Sequence, residues 1–203
     1  MGNTPPDLIK SRLSIVLVLV LSALPFVAAT VAYKMGWRPQ GSINHGTLLE
    51  RARLLENLSF KDNHGRPVSL KDLRGKWNMV YVATDKCGKS CQASLYKMRQ
   101  VRLTQGKHMK RIQNVYIYSM QGKPGSAIIK NFKFRYWSAD RRTARLVKKQ
   151  FQLPKESGSL SDGKARIYMV DPIGNFFMYY QEDADPTGMR KDLERLLKIS
   201  KIG

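Results

Sequence analysis

Cysteine and histidine are scarce in this chain. It has two cysteines, Cys87 and Cys91, and three histidines, His45, His64 and His108, among 203 residues. Two cysteines cannot build the multi-bridge framework of a small secreted scaffold. A structural zinc site needs four clustered ligands, and no Cys/His cluster supplies them. No internal repeat and no low-complexity tract is visible, so solenoid and compositionally biased architectures fall away. Acidic residues are also few, 15 against 36 lysines and arginines, giving a formal net charge of +21.

What is present has the composition of a folded protein, 42% hydrophobic and 25% charged. Residues 13–33 contain no charged side chain. About 20 apolar residues in a helix span the hydrocarbon layer of a membrane. Tyr33 and Trp37 fall where interfacial aromatics are favoured. The run fills a whole bilayer, more than the apolar core of a signal peptide requires, so it is read as a retained anchor. Cleavage after Ala29 or Ala32 is the alternative. The chain then divides into a short tail at 1–12, a transmembrane anchor at 13–33, a juxtamembrane linker at 34–56 and one domain at 57–203. Within the linker, 47–55 reads as a short helix.

The charge lies almost wholly in the part beyond the anchor. Two basic and one acidic residue precede Leu13, so the remainder carries +20. That calls for an anionic neighbour. The tether makes anionic lipid or an acidic protein surface the expected partner, and nucleic acid is not expected. The segment 132–149 interleaves Phe134, Tyr136 and Trp137 with Lys133, Arg135, Arg141, Arg142 and Arg145. Nucleic-acid binders share that pattern, but beside an anchor it reads as a solvated or lipid-facing basic face.

Periodicity gives the plan of the domain. Residues 58–62 and 67–70 flank an Asn63-His64-Gly65 turn, a hairpin. Residues 78–83 and 115–118 are apolar β-rich runs. Cys91, Leu95, Met98 and Val101 form a helical stripe. Helices are expected at 126–132 and 141–151. Strands at 166–170 and 176–180 flank the turn Asp171-Pro172-Ile173-Gly174. Asp185 and Pro186 open a last helix whose apolar face is Met189, Leu193, Leu196 and Leu197. This order predicts an α/β thioredoxin-like fold, a central mixed sheet flanked by helices, behind one N-terminal transmembrane helix.

The two cysteines fall within Cys87-Gly88-Lys89-Ser90-Cys91, between a central strand and a helix start. Free N–H groups and the helix dipole stabilise a thiolate at that place, and Lys86 and Lys89 add positive charge. Residues four apart on a helical turn share a side, so the sulfurs can meet. The pair can form a reversible disulfide or hold a soft ion such as Cu(I). A static structural disulfide is the plainer alternative.

These segments resemble the Sco/SenC family, membrane-anchored thioredoxin-fold factors in cytochrome c oxidase assembly. The resemblance runs from about Leu58 to the C-terminus, plus the anchor. It is carried by Gly65, by Val68-Ser69-Leu70-Lys71-Asp72-Leu73-Arg74-Gly75-Lys76-Trp77, by the Cys-x-x-x-Cys pair, and by Tyr168-Met169-Val170-Asp171-Pro172-Ile173-Gly174. It implies an accessory factor acting by thiol–disulfide exchange on a respiratory oxidase subunit or copper chaperone that carries cysteine thiols. Cys87, expected to be the more exposed thiol, would attack, and Cys91 would resolve. The implied place is the inner (cytoplasmic) membrane, single-pass, with the domain on the extracytoplasmic side. The family's copper site adds a histidine eight residues before the Asp of the Asp-Pro turn. Here that position is Gly163, and none of the three histidines matches it. Copper, if held, falls to Cys87 and Cys91 as Cu(I). The prolines usual after each cysteine are Gly88 and Gln92, and the acidic loop after the second central strand is replaced by residues 120–125. A general membrane-bound thiol–disulfide oxidoreductase, or a non-catalytic binding protein with a structural disulfide, are the competing readings.

Overall fold

A computed structural model describes residues 7–35, 44–153, 164, 166–200 and 202. The chain divides into two units, Met1–Ser42 and Ile43–Gly203.

The first unit holds one helix, α1 (Asp7–Lys34). Its segment Leu13–Lys34, 22 residues, is long and apolar enough to cross a membrane, and none of it is buried against protein. The hydroxyls of Ser22 and Thr30 donate to the carbonyls of Leu19 and Phe26 at 2.9 and 2.7 Å, so their polar atoms are satisfied within the helix.

The second unit is a three-layer α/β structure. Its strands are β1 (Thr47–Leu54), β2 (Ser59–Asp62), β3 (Pro67–Ser69), β4 (Trp77–Ala83), β5 (Ile112–Tyr118), β6 (Arg135–Ser138), β7 (Ile167–Val170) and β8 (Asn175–Tyr180). They form one sheet in the order β1-β8-β7-β4-β5-β6-β2-β3. The β4–β5 and β5–β6 pairs are parallel, and the other pairs are antiparallel. The helices are α2 (Lys89–Leu103), α3 (Ser126–Asn131), α4 (Arg141–Gln150) and α5 (Pro186–Ile199).

Alternation along the central strands divides the core in two. Trp77, Met79, Tyr81 and Ala83 of β4 face a cluster that includes Leu95 and Met98 of α2 and Met189, Leu193 and Leu197 of α5. Val80, with Val115 and Ile117 of β5, faces the opposite cluster, closed by Val147 of α4, Phe151 and Leu153. The predicted stripe of α2 is buried as expected, and Asp185 caps α5 by accepting from the N–H groups of Thr187 and Gly188.

Two expectations are corrected. Residues 47–55 do not form a helix. Thr47–Leu54 is the edge strand β1, antiparallel to β8, within the stretch read as linker. Leu, Glu, Arg and Ala are good helix formers, but the unpaired edge of β8 overrides that weak local preference. The aromatic residues of 132–149 are not a solvated face either. Tyr136 and Trp137 lie in β6 and are buried in the two cores. They are unavailable to stack on bases, while the arginines of the segment remain outside.

Two of the segments that carry the family resemblance, 68–77 and 168–174, meet at the end of the sheet where β4 begins. The Gly75 N–H donates to the Pro172 carbonyl at 2.8 Å, at a glycine with φ +79°. Gly174, with φ +99°, closes the turn beside the Arg74 side chain. The Asn78 side-chain amide donates to the carbonyls of Leu73 and Lys76 at 2.8 and 2.6 Å, bracing the loop from inside. These motif residues are scaffold, and they aim β4 at the opposite end, where the cysteines lie.

Candidate functional site

Cys87 sits in the loop after β4, and Cys91 in the first turn of α2. The two are joined by a disulfide with Cα atoms 5.2 Å apart. Gly88 is the N-cap of α2 and brings no side chain to cap it, so the first-turn N–H groups are left facing the Cys87 side of the turn. The Gln92 side-chain amide donates to the Cys87 carbonyl at 3.4 Å, bracing the loop from a position where the resemblance leads one to expect proline. Cys87 and Cys91 are 8% and 7% exposed, so the expected greater exposure of Cys87 is not found.

Beside the disulfide is a cleft of about 200 Å³. Among the described residues, Cys91 and Ser90 line it, as do Lys86, Lys89, Lys164 and Arg166, with the Asp85 carboxylate. Topology brings these together. Strand β7 is antiparallel to β4, with Val80 opposite Tyr168, so the chain entering β7 arrives where β4 ends. Lys164 and Arg166 belong to that incoming chain. Sequence reasoning missed both, although they follow closely on the family's histidine position at Gly163. The surrounding cations favour a thiolate when the disulfide is open. Tyr81, also on the wall, has its phenol pushed up to about 12 by burial and by Glu182, and so stays a neutral hydroxyl at physiological pH.

The loop at 120–125 packs against the end of β4. The Tyr116 hydroxyl donates to the Gly122 carbonyl at 3.0 Å. A Cβ at Gly122 would lie 2.5 Å from the Ala83 carbonyl oxygen, so only glycine fits this approach.

The histidines lie away from the cysteines in the chain's architecture. His64 is in the β2–β3 turn, where its N–H donates to Asp62. His108 is in a single 3-10 segment after α2. His45 pairs with Asp192 of α5 at 3.1 Å. Asp192 was also missed; it lies on the predicted apolar face of α5, one residue before Leu193.

A family model described as "transmembrane-like, thioredoxin-like, C-terminal domain" matches residues 77–200. The chain belongs to this family. The match runs from β4 through α5 and includes both cysteines. No curated protein matches the chain in sequence. Among solved structures, this thioredoxin-like chain is similar to Arabidopsis thaliana ScoI with copper bound, at 18% identity and TM-score 0.58, covering 73% of this chain and 100% of that one. Bradyrhizobium japonicum ScoI with copper bound is 21% identical, with TM-score 0.53 over 70% of this chain and 99% of that one. The thioredoxin domain of a thiol-disulfide oxidoreductase from Bacteroides vulgatus is 15% identical, with TM-score 0.53 over 73% and 98%. At these identities the likeness is one of fold.

The two ScoI structures carry copper, which poses the question whether this chain has the donors. Among the described residues, no group of three His, Cys, Asp or Glu side chains could hold a metal ion. Gly163 lies outside the described residues and brings no side-chain donor in any case. The cysteines alone supply two sulfurs, so the described residues do not fit a three-ligand copper centre.

Proposed function

We propose that the protein is a membrane-anchored thiol–disulfide exchange factor of Sco/SenC type. Its partner would be a cysteine-bearing subunit or copper chaperone in cytochrome c oxidase assembly. The observation that carries this is the Cys87–Cys91 disulfide at a strand-to-helix junction of a thioredoxin-like sheet, beside a cleft rich in cations. In this reading the domain lies on the extracytoplasmic side of the inner membrane, where such chemistry persists.

In the reduced protein, the Cys87 thiolate attacks one sulfur of a partner disulfide. That S–S bond breaks, the Cys87 mixed disulfide forms, and the partner's other sulfur leaves as thiolate and takes up a proton. Cys91 then attacks the Cys87 sulfur, restoring the Cys87–Cys91 bond and releasing the second partner thiol. Two electrons pass to the partner, and a dithiol reductant returns the protein to its starting state. First-turn N–H groups of α2 and the neighbouring lysines hold the thiolate. No step needs copper; the reduced pair could hold Cu(I) between its sulfurs as a guest.

The second reading, a general membrane oxidoreductase, is favoured by the absence of a third metal donor among the described residues and by the fold shared with the Bacteroides domain. One experiment addresses both. The full chain in detergent should cycle between dithiol and disulfide, and Cys87→Ser and Cys91→Ser should each abolish the cycle. Cu(II) should be held weakly, without nitrogen ligation in its electron paramagnetic resonance spectrum, and Gly163→His should strengthen it. A tight, nitrogen-ligated Cu(II) complex of the unmodified chain would overturn the redox-first reading.

A further inference from the structure

A second cleft, of about 410 Å³, opens between α4 and the carboxyl ends of β4 and β5. Arg141, Arg145 and Lys148 of α4 line it with Thr84, Ser119 and Gln121 of the strand-end loops. We propose that this cleft binds an acidic stretch of the polypeptide whose cysteines react at Cys87 and Cys91. The proposal rests on the exchange reading and names its substrate class.

The two clefts are neighbours. Thr84 lines both, and the Ser119 hydroxyl donates to the Thr84 carbonyl at 3.4 Å. They lie along the edge where parallel strands end, the usual place for a ligand in α/β sheets. A chain held at the disulfide therefore reaches the second cleft as it continues past Thr84.

Charge then selects what that chain contains. Among the described residues, no acidic one lines the second cleft. Among the described residues, seven lysines and arginines and one carboxylate stand around the two clefts together; the carboxylate, Asp85, accepts from the Thr84 hydroxyl at 2.8 Å. Asp140, next to Arg141, is engaged in accepting from the Thr143 N–H at 2.7 Å. Arg141 stands in the first turn of α4, where the helix dipole disfavours a cation, so helix stability does not account for it. Ala139 and Ala144 give the cleft an apolar part that suits the methylenes of Glu or Asp. An occupant held at the disulfide must bring sulfur, which a polypeptide does and a lipid headgroup does not.

The test uses the full chain in uncharged detergent, reduced with a dithiol and desalted. Three peptides share one internal disulfide and carry flanking Glu, Gln or Lys triplets. Thiol trapping reads the rate of peptide reduction. The Glu peptide should react about tenfold faster than the Gln peptide at low salt, and the advantage should fade as salt rises. Arg141→Gln/Arg145→Gln should bring the Glu-to-Gln ratio to about one; the salt series on the unmodified chain decides independently if that variant does not fold. Equal rates for all three peptides overturn the docking site and leave exchange standing. A preference for Glu that survives the double substitution places the acidic contact elsewhere and overturns it too. Arginine-dependent binding of phosphatidylglycerol vesicles that displaces the Glu peptide makes lipid the occupant, which also overturns it. Failure to reduce even glutathione disulfide instead marks the exchange reading itself as wrong.

Discussion

Asp192 is 1% exposed on a helix face otherwise made of methionine and leucine. It accepts from the His45 N–H at 2.8 Å, the Gly46 N–H at 2.9 Å and the Tyr180 hydroxyl at 3.1 Å, and it meets the His45 ring at 3.1 Å. The carboxylate ties the start of β1 to α5. Close packing supports the same junction: a Cβ at Gly188 would lie 2.6 Å from the His45 ring, and one at Gly46 2.7 Å from Met178. Asp192→Ala strands the buried Gly46 N–H and Tyr180 hydroxyl. It should destabilise the chain by about 3 kcal/mol, with chemical denaturation in neutral detergent as the measurement; Asp192→Asn, which keeps an acceptor, should lose less. At this scale the sequence marked chemistry better than structure. Only two cysteines, four apart, make an unmistakable pair. Asp192 was hidden because its partners lie almost 150 positions away or on another strand, and Lys164 and Arg166 because their place beside Cys91 depends on strand pairing.

Elements were legible in proportion to how much of their apolar pattern was local. Strands β4, β5, β7 and β8 and helices α2 and α5 announce themselves through runs and stripes. Strand β1 does not, because an exposed edge needs no apolar alternation, and its identity comes from pairing with β8. Strand β6 is four residues inside a basic segment, and its buried Tyr136 and Trp137 look the same in sequence as exposed stacking aromatics. Of the helix caps, Asp185 was legible in the sequence and Asp140, which caps α4, was not. The Thr143 N–H holds the Asp140 carboxyl below its ordinary value of 3.8, and the Thr187 N–H does the same for Asp185. A depressed folded value means that each cap contributes stability above pH 3.8 and loses it as pH falls through the folded value. Asp140→Asn and Asp185→Asn should thus be less stable than the unmodified chain at pH 7 and converge with it in acid. Thermal unfolding followed by circular dichroism across pH is the check. A gap that stays constant with pH would show that the carboxylate charge is not what caps these helices.

The whole molecule joins an apolar helix to a strongly cationic domain, and each part would draw it to a membrane by different physics. The helix acts through hydrophobic burial. Leu13–Lys34 has 22 residues, which at 1.5 Å each gives about 33 Å, enough for a hydrocarbon core of about 30 Å. The domain at 57–203 would act through its net charge of +18, which salt screens over about 8 Å at physiological ionic strength. The two contributions separate under extraction. High salt at alkaline pH should release a protein held by charge alone and leave one held by the helix. The full chain is therefore expected to remain in the membrane fraction, with the N-terminal sequence of the mature protein still including Leu13. Deleting 1–33 should give a product that salt removes. Release of the full chain, or a mature N-terminus near Thr30 or Tyr33, would mean that the helix is a cleaved signal and that charge alone provides the attachment. Sidedness follows from the same preparation. After mild dithiol reduction and opening of the disulfide, a membrane-impermeant thiol reagent applied outside intact spheroplasts should label Cys87 and Cys91. Labelling only after lysis would put the domain in the reducing cytoplasm. There a Cys87–Cys91 bond would be held open by the thiol pool, and the exchange reading would lose the compartment it needs.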